Sequence, residues 1–194
     1  MKKSNVLQQN IEEVDGLIRQ GKFKRAIGKL KEIDHTKASR EYRAKLANLH
    51  MRVGLPDVSL KLLNRIVRAK VGRQAEASTE EIKEYGAALV AIGAADEAIQ
   101  LLQTIQGEDI SDHSLFVALA HFSKWNYEQA IQPLRHFIAH PKSTDYQRLI
   151  GKVNLLSAYI VMGMLNDADQ LASNLVVIMS GKKEYTLLLG NVYE

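Results

Sequence analysis

Large apolar residues recur three and four positions apart along this chain, as in Ile27, Leu30 and Ile33, then Leu60, Leu63 and Ile66/Val67, then Ile99, Leu102 and Ile105. This spacing places them on one face of a helix. Between these stretches run others of the same kind, such as Tyr42-Leu46-Leu49-Val53 and Ile82-Tyr85-Leu89-Ile92. Prolines number only 3, so little interrupts a helix. The pattern predicts an all-α chain of about eleven helices, over 5–19, 22–34, 37–53, 56–70, 78–92, 95–106, 111–124, 127–139, 144–162, 165–180 and 184–194. Loops are expected at Val71–Ala77 and His140–Thr144.

One phrase repeats. It reads GKFKRAIGKLKEI from Gly21, GLPDVSLKLLNRI from Gly54, GAADEAIQLLQTI from Gly93, WNYEQAIQPLRHF from Trp125 and GMLNDADQLASNL from Gly163. Glycine suits a left-handed turn that ends one helix. The small residue that follows, Ala26, Ser59, Ala98, Ala130 or Ala168, allows the next helix to pack closely on the previous one. These small residues lie 33, 39, 32 and 38 positions apart. Helix pairs with this turn, this small residue and a period of about 34 residues resemble tetratricopeptide repeats. The family's small residue in the first helix is matched by Ala47, Gly86 and Ala118, its aromatic by Tyr159 and Tyr193, and its closing proline by Pro141. The chain departs from the family in lacking the first-helix tryptophan, in Trp125 at a turn-glycine position, and in two stretched linkers.

The resemblance implies an antiparallel helix-pair solenoid wound as a right-handed superhelix. It implies one repeat domain over 1–194, with units 5–36, 37–73, 78–109, 110–141 and 144–180 and a partial sixth at 183–194. The sixth carries Leu189, Gly190 and Tyr193 in the family's places, without a partner helix. Terminal repeats usually show a polar outer face, whereas this one holds Tyr185, Leu187, Leu188, Leu189 and Val192. Three readings stand: a fragment of a longer protein, a helix docking on a second copy through Tyr185, Leu188, Leu189 and Val192, or a capping helix whose leucines pack inward.

Composition narrows the functional classes. Hydrophobic residues make up 46% and charged residues 25% of 194, as in folded soluble proteins. Cysteine is absent, which excludes disulfides, thiolate metal sites and a cysteine nucleophile. The start MKKSNVLQQNIEEVDG has no apolar core of a secretory signal, and no window has the length of a membrane span. A cytoplasmic location is expected. The net charge of +4 is unevenly spread: residues 1–75 hold 18 Lys/Arg against 7 Asp/Glu, and residues 76–194 hold 8 against 15. A basic half beside an acidic half points to an acidic partner or to head-to-tail contact.

No motif argues for catalysis. Gly16-Leu-Ile-Arg-Gln-Gly21-Lys22-Phe23 approaches a phosphate-binding loop, but Phe23 replaces the needed hydroxyl and a helix precedes it. His136 and His140 share metal-ligand spacing, but Pro141 ends their helix and a cation at the helix C-terminus explains them. Neither metal nor cofactor is expected, and the chain is expected not to be an enzyme. Lys22, Arg25 and Lys29, then Lys61, Arg65 and Arg68, line second helices as a basic surface suited to nucleic acid, anionic lipid or an acidic protein, or simply solvated.

The resemblance implies a concave groove lined by first helices that receives a peptide or helix. In register, the groove would hold Lys45, Asn48 and Arg52, then Lys83, Glu84 and Ala87, then Leu115, Phe116 and Leu119, then Val153, Asn154 and Ser157, with Phe116 as the apolar anchor. Ala44 and Glu84 depart from the set by which some relatives clamp a chaperone's terminal carboxylate. The expected function is a non-catalytic protein-binding scaffold, adaptor or chaperone-like module. The alternatives are a nucleic-acid-associated protein using the basic N-terminal half, and a structural or oligomerisation domain of a larger protein.

Overall fold

A computed structural model describes residues 2–35, 38–68, 77–105 and 112–193. Among them the chain forms eleven α-helices, one 3-10 turn at Lys183–Tyr185, and no strand. The helices are α1 (Lys2–Arg19), α2 (Phe23–Glu32), α3 (Arg40–Arg52), α4 (Pro56–Val67), α5 (Thr79–Ala91), α6 (Ala95–Leu102), α7 (Asp112–Ser123), α8 (Tyr127–Ala139), α9 (Asp145–Val161), α10 (Leu165–Met179) and α11 (Thr186–Tyr193). The expected helix ends at 37, 70, 106, 111 and 194, and residues 71–76 of the first expected loop, lie outside the described residues.

All five repeated phrases fold alike. Each pair is joined by three residues, 20–22, 53–55, 92–94, 124–126 and 162–164. The third connector residue donates its amide to the carbonyl five residues back: Lys22 to Leu17, Leu55 to His50, Ala94 to Leu89, Asn126 to His121 and Met164 to Tyr159, at 2.8–2.9 Å. This closure requires a left-handed residue at the middle position. Gly21, Gly54, Gly93 and Gly163 supply it with φ between 69° and 82°, and Trp125 takes the same conformation at φ 61°. For a residue with a side chain that conformation costs about 1–2 kcal/mol. The fourth residue of each following helix is the small one: Ala26, Ser59, Ala98 and Ala130 have no exposed surface and Ala168 has 6%.

The two stretched intervals end in helices that start differently. Ser78 Oγ accepts the Glu81 amide while Glu81 Oε2 accepts the Ser78 amide (3.3 and 2.8 Å), and Thr144 with Gln147 repeats the exchange (3.2 and 2.8 Å). These reciprocal caps satisfy amides at the first turns of α5 and α9.

Two compact units divide the chain, residues 1–97 and 98–194. In the N-terminal unit α3 packs against α1, α4 and α5, and α4 also packs against α5. Its core joins Val14, Leu17 and Leu30 to Leu46 and Leu49. In the C-terminal unit α8 lies between α7 and α9, α9 packs on α10, and α11 rests on both α9 and α10. Gly151 lets α9 approach α8. A Cβ there would stand 2.7 Å from Ile138 Cγ1 and 2.9 Å from the Phe137 ring, which is fully buried.

Tyr185, Leu188, Leu189 and Val192, the residues set apart for self-association, are partly buried against the core of this unit. Tyr185 also stacks on Tyr146, with ring centroids 6.2 Å apart. α11 lies on α9 and α10, and those four side chains are half-buried against them. Leu187 and Tyr193 face outward, at 86% and 70% exposure.

Two stability outcomes follow. Trp125→Gly should be more stable than Trp125→Ala by about 1 kcal/mol in denaturant unfolding, since both lose the ring but only glycine relieves the left-handed turn. Gly151→Ala should destabilise by roughly 1–2 kcal/mol despite alanine's better helix propensity, because Phe137 has no free space to yield into.

Candidate functional site: a groove on the first helices

In the N-terminal unit the first helices α1, α3 and α5 lie side by side. Between them opens a groove of about 370 Å³ with Ile11 and Leu49 in its lining. Its rim is charged: Glu12, Asp15 and Arg19 come from α1, Lys45, Asn48 and Arg52 from α3, and Glu80 from α5. Three of the six groove residues expected in this unit, Lys45, Asn48 and Arg52, therefore meet at one opening, while Ala87 is buried.

Most of the rim is held by ion pairs. Asp15 receives Arg19 Nε at 2.7 Å and is also bonded by Arg52. The hydrogen bond from Arg52 holds its carboxyl below the usual carboxylate range against the opposing effect of burial, with lesser help from Arg19. Beneath the rim, Asn48 Nδ2 donates to both oxygens of Glu84 at 3.2 Å. Glu84 is 2% exposed, and burial pushes its carboxyl above the usual range although Lys83 Nζ lies 3.2 Å away. Lys83 also bonds Glu80 at 2.8 Å. Lys83, expected in the groove, is thus buried at its edge, where it positions two carboxylates. Neighbouring Glu81 takes a two-pronged bond from Arg40 (2.8 and 2.7 Å), and that guanidinium holds its carboxyl below the usual range.

Lys45 is different. It is exposed, with its Nζ 5.7 Å from the Tyr42 ring centre, and it makes no ion pair among the described residues. It borders both the groove and a second hollow of about 430 Å³ lined by Arg40, Glu41, Ala44, Ser78, Glu80 and Glu81. Lys45 therefore stands between two hollows.

The remaining expected residues are placed as follows. Phe116 and Leu119 are half-buried on α7. Asn154 Nδ2 donates to the Ile150 carbonyl at 2.9 Å and Ser157 Oγ to that of Val153 at 3.3 Å, so both turn back on α9. On α2, α4 and their caps, Lys22 bonds Gln20 at 2.7 Å, Lys29 pairs with Glu13 and Glu32, and Arg68 pairs with Glu97. Arg25, Lys61 and Arg65 are exposed. His136 shares a 2.8 Å hydrogen bond with Ser114 Oγ, and its ring centre is 6.0 Å from that of His140. His140 caps the helix and accepts the Lys142 amide. Among the described residues no group of three His, Asp or Glu could hold a metal, and no helix is long and apolar enough to cross a membrane.

Sequence reasoning placed Glu84 in the groove but missed Asp15, Arg19 and Glu80. Asp15 and Arg19 stand four apart, as do Glu80 and Glu84, which places each pair on one face of a first helix. A register carried onto α1 would have found the former.

No protein-family profile and no curated protein matches the chain. Solved structures do. The chain is similar over 95% of its length to nearly identical TPR-like repeats assigned to a kinesin light chain of Podosopora anserina, with TM-score 0.64, 18% identity and 99% of that chain covered. It is similar over 96% of its length to MamA, with TM-score 0.59, 19% identity and 97% of that chain covered. Over 94% it is similar to the C-terminal part of a TPR repeat-containing protein from Cytophaga hutchinsonii, with TM-score 0.58, 18% identity and 69% coverage. The chain thus has the tetratricopeptide-like fold, an all-α solenoid of antiparallel helix pairs.

A pH response follows from half-buried His35 and buried His50, whose rings meet edge-on at 4.9 Å. Burial lowers both from the ordinary 6.5, and His50 donates its Nδ1 proton to the Leu46 carbonyl at 2.8 Å. The unfolded chain takes up protons first as pH falls through 6.5, so stability declines on the acid side of that value. The thermal midpoint should fall between neutral pH and pH about 5, and His50→Gln should flatten that slope.

Proposed function

We propose that the chain is a non-catalytic protein-interaction scaffold, an adaptor that holds a helical or extended segment of a partner in the groove of α1, α3 and α5. The observation that carries this reading is the open groove itself: its floor is partly apolar, its rim is braced by the Asp15, Glu84 and Glu81 networks, and of its cations Lys45 makes no ion pair among the described residues. Bracing matters because side chains already ordered lose little entropy on binding. An apolar floor gives contact area, and Lys45 gives a directional contact to a carboxylate or carbonyl. The kinesin light chain repeats and MamA share this fold, which supports a binding scaffold without naming its partner.

The test uses tagged wild-type chain, Lys45→Glu, and Lys61→Glu on an outer helix as control, each incubated with native lysate, nuclease-treated and washed at moderate salt. A protein held by wild type and Lys61→Glu but lost at least about tenfold by Lys45→Glu is the expected result. Equal recovery by all three variants would remove the groove from the function, and recovery abolished by nuclease would point to nucleic acid.

A further inference from the structure

Two outer helices of this chain are complementary, and each lacks a partner for what it displays. On α2, Lys24, Arg25 and Lys31 are exposed and make no ion pair among the described residues. The helix has one acid, Glu32, which faces Lys29 at 4.0 Å. Gly28 lies between these cations in helical register, and nothing stands within 4 Å of the place a Cβ would occupy. The result is a basic strip with a flat floor, opened at its start by Phe23, which is 49% exposed.

The opposite display is on α10. Its sequence LNDADQLASNLVVIM contains no Lys or Arg, while Asp167 and Asp169 are exposed and unpaired among the described residues. Val177 on the same outer side is 80% exposed. Phe23 and Lys31 stand eight positions apart, as do Asp169 and Val177. Eight residues rise about 12 Å along a helix. Antiparallel alignment therefore matches Val177 to Phe23 and Asp169 to Lys31 in spacing along the two axes.

We propose that the chain associates head to tail with copies of itself, α10 of one protomer docking on the α2 face of the next. The charge balance of the whole chain supports a second copy as the occupant: residues 1–75 carry 18 bases to 7 acids and residues 76–194 carry 8 to 15, so one end of a copy attracts the other end of its neighbour. Two different surfaces are joined, so the contact is heterologous and extends into open chains or closes into rings. It uses the outer helices and leaves the groove of α1, α3 and α5 free.

Sedimentation velocity of the full chain over a concentration series tests this. At low ionic strength the average mass should rise with concentration, and high salt should return it to the monomer. Lys24→Glu/Lys31→Glu and Asp167→Lys/Asp169→Lys should each weaken association by at least about tenfold. Mixing the two variants should restore it, because the reversed α2 of one then meets the reversed α10 of the other. All four positions are exposed, so folding is unaffected by design, and the mixture separates lost complementarity from lost structure. A wild-type chain that stays monomeric at every concentration in low salt would overturn the proposal. So would association that either reversal leaves intact, or a mixture no more associated than its components.

Discussion

Three residues must reverse the chain between the helices of each pair, and the two axes must then lie close enough for side chains to interdigitate. Those demands act together. The reversal is made by a left-handed residue and an amide reaching five positions back, a bond found at Lys22, Leu55, Ala94, Asn126 and Met164. Close approach is met four residues into the following helix, where Ala26, Ser59, Ala98, Ala130 and Ala168 are buried. Once turn and contact are fixed, the rotation of the second helix about its axis is fixed as well. Leu30, Leu63, Leu102, Leu134 and Leu175 are then delivered to the interior, and the bases of α2 and the acids of α10 to the outside. Trp125 shows how strongly the geometry is imposed: the turn keeps its left-handed form at φ 61° even where no glycine is present.

The same rotation decides what the first helices can offer. In the N-terminal unit they meet along a seam containing three nearly inaccessible charges, Glu81, Lys83 and Glu84. Such groups are costly to bury unless each finds partners. Arg40, Asn48, Glu80 and the Ser78 amide supply them. The seam is consequently held by paired charges as well as apolar contact, and it frames the groove. Burial raises Glu84 while Arg40 lowers Glu81, so falling pH favours the folded state through Glu84 and opposes it through Glu81.

The C-terminal unit resolves the strain in the sequence pattern at its end. A short helix rich in leucine looks exposed when it is imagined as the start of a missing pair. Resting on α9 and α10, it spends Tyr185, Leu188, Leu189 and Val192 on an existing core. The residues left outward, Leu187 and Tyr193, belong to the other side of the same helix.

Helix existence, the five turns and the buried small residues were legible in the sequence because each depends on neighbours within a few positions: a 3.6-residue period, a residue free to adopt positive φ, a side chain too small to clash. Ser78–Glu81 and Thr144–Gln147 were equally local and could have been read as caps. The groove was half legible. Register alone brought Lys45, Asn48 and Arg52 to one face, since a helix face is a local property. It could not tell that Asn48 and Arg52 are committed to Glu84 and Asp15, or that Lys83 is buried, because those partners lie 36, 37 and more positions away or depend on the packing of a neighbouring helix. Sequence determined which faces the helices have; tertiary packing alone decided which charges on those faces remain free, because pairing and desolvation depend on what another helix brings within reach.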